Sequence, residues 1–209
     1  GRLDANCSQT TDIGDVSWSA TPVCGQNNTV DATRVTSANN LTAWSIRDIG
    51  TPSSSWRNAL PSDAVQKSGR TTGLTYGTVT SVNYTTNVSG YCCGSPTFVD
   101  QIKINANTVP FLQGGDSGSG VLDRGNPPKV VGLLFAGPTN GSYGVANKIS
   151  NVLFRLNLTL DPNCQPPTCE QICRDYLDDC AEEFCYWNFN EYMCYTGCQL
   201  EYEDCLSGC

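Results

Sequence analysis

"GGDSGSGV", residues 114–121, sets Ser117 directly after Asp116 in a run punctuated by glycines. Glycine there allows a tight turn and a close approach of the main chain. Such a turn can be a plain structural loop or the seat of a hydroxyl nucleophile. A serine hydroxyl attacks a carbonyl only when a neighbouring base takes its proton, and in a Ser-His-Asp arrangement that base is an imidazole. The chain contains no histidine. Either the base lies on another polypeptide or Ser117 is a relic.

Around the turn the chain reads as strands. "GLTYGTVTSVNYTTNV" at 73–88 is rich in Thr, Val and Tyr. "TFVDQIKIN" at 97–105 alternates, with Phe98, Asp100, Ile102 and Ile104 on one face and Val99, Gln101 and Lys103 on the other. "KVVGLLFAG" at 129–137 has the continuous apolar character of a strand buried on both faces, and only "SNVLFRLNL" at 150–158 reads as a short helix. These elements describe a mostly-β domain over residues 1–159. "LDPNCQPPTC" then breaks the pattern with adjacent prolines, so 160–168 is expected to be a linker.

Charge divides the same way. Residues 1–160 contain nine Asp, no Glu and eleven Lys plus Arg, whereas 161–209 contain eleven acidic side chains and Arg174 as the sole base. The net charge of -8 argues against nucleic-acid binding by bulk electrostatics. Thirteen cysteines suit a secreted, extracellular protein, and sequons at Asn6, Asn27, Asn40, Asn83, Asn87, Asn140 and Asn157 point the same way. No apolar run approaches the roughly 18 residues of a membrane span.

The tail cysteines fall at 169, 173, 180 and 185, then at 194, 198, 205 and 209. This spacing keeps the sulfurs on one helical face in each half. Folded back near "YWNFN", the halves form a near-palindrome that predicts four rungs across an antiparallel helical hairpin over 169–209: Cys169–Cys209, Cys173–Cys205, Cys180–Cys198 and Cys185–Cys194. Zinc would favour closer C-x2-C pairs with histidine, so no metal and no cofactor is expected. Of the remaining cysteines, Cys7 and Cys24 are expected to bond, one of Cys92 and Cys93 to reach Cys164, and one cysteine to join another chain.

"GGDSGSGV" followed by "VVGLLFAG", and preceded by "VQKSGRTTGLTYGTV" at 65–79 and "NNTVDA" at 27–32, resembles the trypsin-like serine peptidases, most closely microbial secreted members. The resemblance spans about 28–158 and implies a chymotrypsin-like double β-barrel. It implies Ser117 as nucleophile, the N–H groups of Gly115 and Ser117 as an oxyanion hole, and Asp116 as the residue that shapes the loop. Asp31 corresponds to the aspartate that orients the imidazole. Leu134, Phe135, Ala136 and Gly137 correspond to the strand edge that pairs with substrate, and "YGVAN" at 143–147 to the opposite wall of the specificity pocket. With no carboxylate at those positions, a small or apolar substrate side chain is expected.

In that family the histidine precedes the aspartate, at the end of the third strand of the first barrel. Only about 30 residues precede Asp31 here, room for one or two strands, so the first barrel is expected to be incomplete, with open edges and an open apolar core. Two functional classes are consistent with this. One is a two-chain endopeptidase in which a histidine-bearing chain of the same precursor, docked with or without a disulfide link, completes the site for a polypeptide substrate. The other is an inactive pseudo-protease acting as a structural module, through self-association or in an extracellular assembly.

Overall fold

The computed structural model describes residues 2–3, 9–11, 14–37 and 43–160. The chain divides between Asp161 and Pro162 into two units, and every described residue lies in the first. The cysteine ladder of 169–209, the linker beyond residue 160, Cys7, Cys164, Asn6 and Asn40 lie outside the described residues.

The strands are β1 (Arg2–Leu3), β2 (Gln9–Thr11), β3 (Gly14–Ala20), β4 (Asn27–Asn28), β5 (Ala32–Ser37), β6 (Ala64–Gly69), β7 (Gly73–Asn87), β8 (Thr97–Ala106), β9 (Gly120–Asp123), β10 (Val130–Ala136) and β11 (Tyr143–Lys148). A helix, α1 (Ile149–Arg155), comes next. Strands β6 to β11 pair in the order β11-β10-β9-β6-β7-β8, and β8 pairs again with β11, closing a six-stranded antiparallel barrel. Closure removes the free edges of an open sheet. The 15-residue β7 serves two neighbours in succession, β6 through 73–78 and β8 through 77–87, and bends at register shifts between Val79 and Thr86.

Val65, Val79, Ile102, Ile104, Phe111, Val121, Val131, Leu134 and Ala146 fill the barrel. A second cluster joins Ala20, Val30 and Ala32 to Leu122, Val130 and the inner face of α1, Ile149, Val152 and Leu153. The helix begins one residue before the expected span and ends at Arg155. Beyond its C-cap, Leu156, Asn157 takes a left-handed φ of 47°.

Strand β8 departs from strict alternation. Asp100 has a positive φ of 61° and turns outward to Lys148 and Asn151, and Gln101 takes an interior position with no exposure. Period 2 assumes extended backbone at every residue; the left-handed residue departs from it locally, while Phe98, Ile102 and Ile104 keep the expected buried face.

Upstream, β1 pairs with β2 and β3 with β5 as separate two-stranded ribbons. Among the described residues these close no second barrel. On the β3–β5 ribbon the cross-strand partners Val16 and Val35 are 67% and 44% exposed. Among the described residues four strands precede Asp31 rather than one or two, although only β3 is longer than three residues.

The expected Cys7–Cys24 bond is replaced by Cys24–Cys93. Strand β4 runs parallel to β8, with Asn27 beside Thr97, so residues three or four positions upstream on each chain arrive side by side. Cys92 is exposed, with no sulfur partner among the described residues.

Candidate active site

The loop of residues 113–119 is built around Asp116, which has no solvent exposure. Its carboxylate accepts from the N–H groups of Gln113 (2.9 Å), Thr71 (2.7 Å) and Thr72 (3.1 Å), and from the Thr72 hydroxyl (2.8 Å). The buried Lys67 ammonium stands 3.4 Å away and also donates to the Thr72 hydroxyl and to the Gly73 carbonyl. Burial alone would raise the carboxyl pKa; the donors from Gln113, Thr72 and Thr71 outweigh it and hold the pKa down at about 2. For Lys67, burial pulls the pKa below the ordinary lysine range and the Asp116 charge opposes it.

The segment "KSGRTT" at 67–72 is therefore the receptor for Asp116. Gly69 is required there, because a Cβ would strike the Asp116 carboxylate. In the sequence this segment carries family resemblance but no sign of its role.

With Asp116 fixed, the loop leaves the N–H groups of Gly114, Gly115 and Ser117 uncommitted among the described residues, the last two on either side of Asp116. The N–H groups of Asp116, Gly118 and Ser119 donate to Gln113, Leu134 and Asp116 carbonyls. Among the described residues nothing accepts from the N–H of Gly115 or Ser117, and both residues are exposed. Gly115 sits at φ 99°, and a Cβ there would run into the Arg70 guanidinium and the Thr71 hydroxyl. Two neighbouring unpaired amides beside a serine can stabilise an oxyanion forming on a carbonyl attacked by that serine.

Ser117 borders a cleft of about 400 Å³. Phe135, Ala136 and Gly137 line one side, Tyr143 and Val145 another, and Thr86–Ser89 a third, with no charged side chain among the lining residues. Leu134 turns instead into the barrel core, its N–H and C=O committed to Ser119 and Gly118. The Ser117 hydroxyl donates to the Phe135 carbonyl at 3.1 Å.

Asp31 is half-buried between β4 and β5. Its N–H donates to Asn147 Oδ1 (2.7 Å), and its Oδ2 accepts from the Tyr91 hydroxyl (2.5 Å). Tyr91 packs on Phe98 with centroids 5.9 Å apart, and Phe98 on Phe135 at 4.8 Å. Asp31 and Ser117 thus stand at two ends of one contiguous run, Asp31–Tyr91–Phe98–Phe135–Ser117. Tyr91 has no sequence signal, and Asn147, the last residue of "YGVAN", has none for its bond to Asp31; both reach Asp31 through long-range pairing.

Similar architecture occurs in solved structures. A glutamic acid-specific serine protease, described as using a histidine triad in substrate binding, is 25% identical with a TM-score of 0.52, over 64% of this chain and 69% of that one. A Nocardiopsis protease is 27% identical with a TM-score of 0.50, again over 64% and 69%. The fold is that of the chymotrypsin-like serine proteases. Cellulomonas bogoriensis chymotrypsin shares it at 22% identity and a TM-score of 0.52, over 65% of this chain and 72% of that one. No family model and no curated protein sequence matches. The chymotrypsin-like expectation holds for the closed barrel. Among the described residues no helix is long and apolar enough to cross a membrane, and no group of three or more His, Cys, Asp or Glu side chains converges as a metal site.

Proposed function

We propose that this chain is the serine-bearing part of a secreted endopeptidase, with Ser117 as nucleophile and an imidazole supplied by a separate histidine-bearing chain of the same precursor. The observation that carries the reading is the pair of uncommitted N–H groups at Gly115 and Ser117, held beside a serine and a cleft by a buried, fully hydrogen-bonded Asp116. Both amides are exposed, so a substrate carbonyl oxygen can reach them without breaking a hydrogen bond within the chain.

In this mechanism the imidazole takes the Ser117 proton as Oγ attacks the substrate carbonyl. Charge builds on the carbonyl oxygen against the two amides. Asp31 orients the imidazole and stabilises its protonated form. The Ser117 hydroxyl must first leave the Phe135 carbonyl, which lies on the strand edge that would receive the substrate backbone. The exposed Val16 and Val35 on the β3–β5 ribbon offer the incoming chain an apolar surface to complete the first barrel. An uncharged cleft favours a small or apolar side chain before the cleaved bond. Asn27, Asn83, Asn87, Asn140 and Asn157 are all exposed, as glycan acceptors in a secreted protein need to be.

A specific contact favours the second reading, an inactive pseudo-protease used as an extracellular structural or assembly module. It is the commitment of Ser117 Oγ to the Phe135 carbonyl in a sequence with no histidine. Protein in the state its source produces separates the two. The peptidase reading expects cleavage of a denatured polypeptide after uncharged residues, loss of cleavage in Ser117→Ala, and none from the 209-residue chain alone. Source material that cleaves nothing, or a Ser117→Ala protein that retains the rate, removes it.

A further inference from the structure

We propose that Tyr91 is a positioning residue for Asp31, holding one carboxylate oxygen so that the other is presented to the imidazole. The inference rests on the peptidase reading and adds to it a residue outside the Ser-His-Asp set. A carboxylate that orients an imidazole must be fixed about its own side-chain torsions, since misplacement by about 1 Å is costly to the reaction. The backbone of Asp31 is anchored from the barrel. Its N–H donates to Asn147, the buried Asn147 amide donates to Gln101 Oε1 (2.9 Å), and the Gln101 amide donates to the Thr29 carbonyl (2.9 Å). None of these bonds touches the carboxylate. Among the described residues, its side-chain donor is the Tyr91 hydroxyl, on Oδ2.

Tyr91 is itself well held. Its ring leans on the fully buried Phe98, its turn is closed by the Gly94 N–H donating to the Tyr91 carbonyl (2.8 Å), and Cys93 in that turn is bonded to Cys24. The disulfide joins the turn to the segment that leads into β4 and Asp31. A phenol suits the task because it stays protonated. Even with an ordinary pKa of about 10, roughly one molecule in a thousand would be ionised at pH 7. Burial, then the hydrogen bond to Asp31, push the Tyr91 pKa higher still. Tyr91 therefore serves as a constant donor to Asp31 and is unsuited to act as the missing base.

Two measurements test this. In the 209-residue chain carrying ¹³Cζ-labelled tyrosine, one assigned resonance, Tyr91, should remain protonated at about pH 11, and Asp31→Asn should bring its titration down toward the ordinary range. In the assembled protein, Tyr91→Phe should slow fluorophosphonate labelling of Ser117 roughly tenfold to a hundredfold, the worth of one hydrogen bond to a charged group. In an Asp31→Asn background the same change should have little further effect, because Tyr91 acts through Asp31. A purely structural tyrosine would slow both backgrounds alike. Labelling that ignores Tyr91→Phe, or equal slowing in both backgrounds, overturns the proposal and leaves the peptidase standing. Wild-type protein that never labels removes both. A Tyr91 titration unmoved by Asp31→Asn refutes the bond itself, whether or not the phenylalanine variant folds.

Discussion

Asp116→Asn removes the charge around which the serine loop is organised, and the structure sets the size of the effect. The carboxylate accepts four hydrogen bonds between 2.7 and 3.1 Å and faces Lys67 at 3.4 Å, with both side chains fully buried. An amide keeps one acceptor oxygen and turns its NH₂ toward groups that are themselves donors, leaving the buried Lys67 charge without its counter-ion. Breaking a buried pair from one side costs about 3–5 kcal/mol. With a urea m-value of about 2 kcal/mol/M, the unfolding midpoint should fall by roughly 2 M.

The pH dependence adds a second, independent signature. The folded pKa of Asp116 is depressed from 3.8 to about 2, so its stabilisation is complete above pH 3.8 and disappears as pH falls through about 2. Just under two pKa units correspond to about 2 kcal/mol. The gap between wild type and Asp116→Asn should narrow by that amount between pH 5 and pH 2. Lys67→Met should cost less than Asp116→Asn at pH 7, because the ammonium makes the longest of the five contacts and the other four survive. Urea unfolding at pH 7, 5, 3 and 2 reads all three. An Asp116→Asn protein within about 0.5 kcal/mol of wild type, or a gap equal at pH 5 and pH 2, would refute the reasoning. Equal costs for the two variants would shift the weight from the hydrogen bonds to the ion pair.

Gly115→Ala places a Cβ at φ 99° against Arg70 and Thr71, a strain of about 1–3 kcal/mol. It should abolish labelling of Ser117 in the assembled protein while circular dichroism shows the barrel retained; undiminished labelling would mean that the Gly115 amide is not an oxyanion donor. Non-reducing peptide mapping should recover Cys24 linked to Cys93, and a Cys7–Cys24 peptide would contradict the β4–β8 register. The same digest should recover Cys169–Cys209, Cys173–Cys205, Cys180–Cys198 and Cys185–Cys194; a Cys169–Cys173 link would refute the palindrome.

The barrel strands are legible in the sequence because their signals are local. The Thr, Val and Tyr content of 73–88, the apolar run of 129–137 and the periodic helix before residue 158 each arise from side chains a few positions apart. Asp100 falls on the wrong face because a single left-handed residue leaves no trace in an alternation count. Cys24 finds Cys93 through a parallel pairing 69 residues distant, which cysteine spacing cannot show. The glycine-flanked serine announces a turn, yet the receptor for its aspartate lies 44 to 49 residues upstream in "KSGRTT", a stretch that carries the family resemblance but no sign of this role. Tyr91 is invisible for the same reason: a tyrosine beside two cysteines in a turn carries no mark of the aspartate 60 residues before it.

Covalent labelling of Ser117 tests the central claim most directly. Protein in the state its source produces, treated with a fluorophosphonate and mapped by mass spectrometry, should carry the adduct on Ser117. The rate should fall below about pH 6–7 as the complementing imidazole, with an ordinary pKa of about 6.5, becomes protonated. The 209-residue chain alone should not react, since an oxyanion hole without its base leaves only the residual acceleration of about 10³–10⁴ over water. Source material that stays unlabelled at neutral and mildly alkaline pH, while a control protease in the same tube is modified, would contradict the account and leave the structural module in its place.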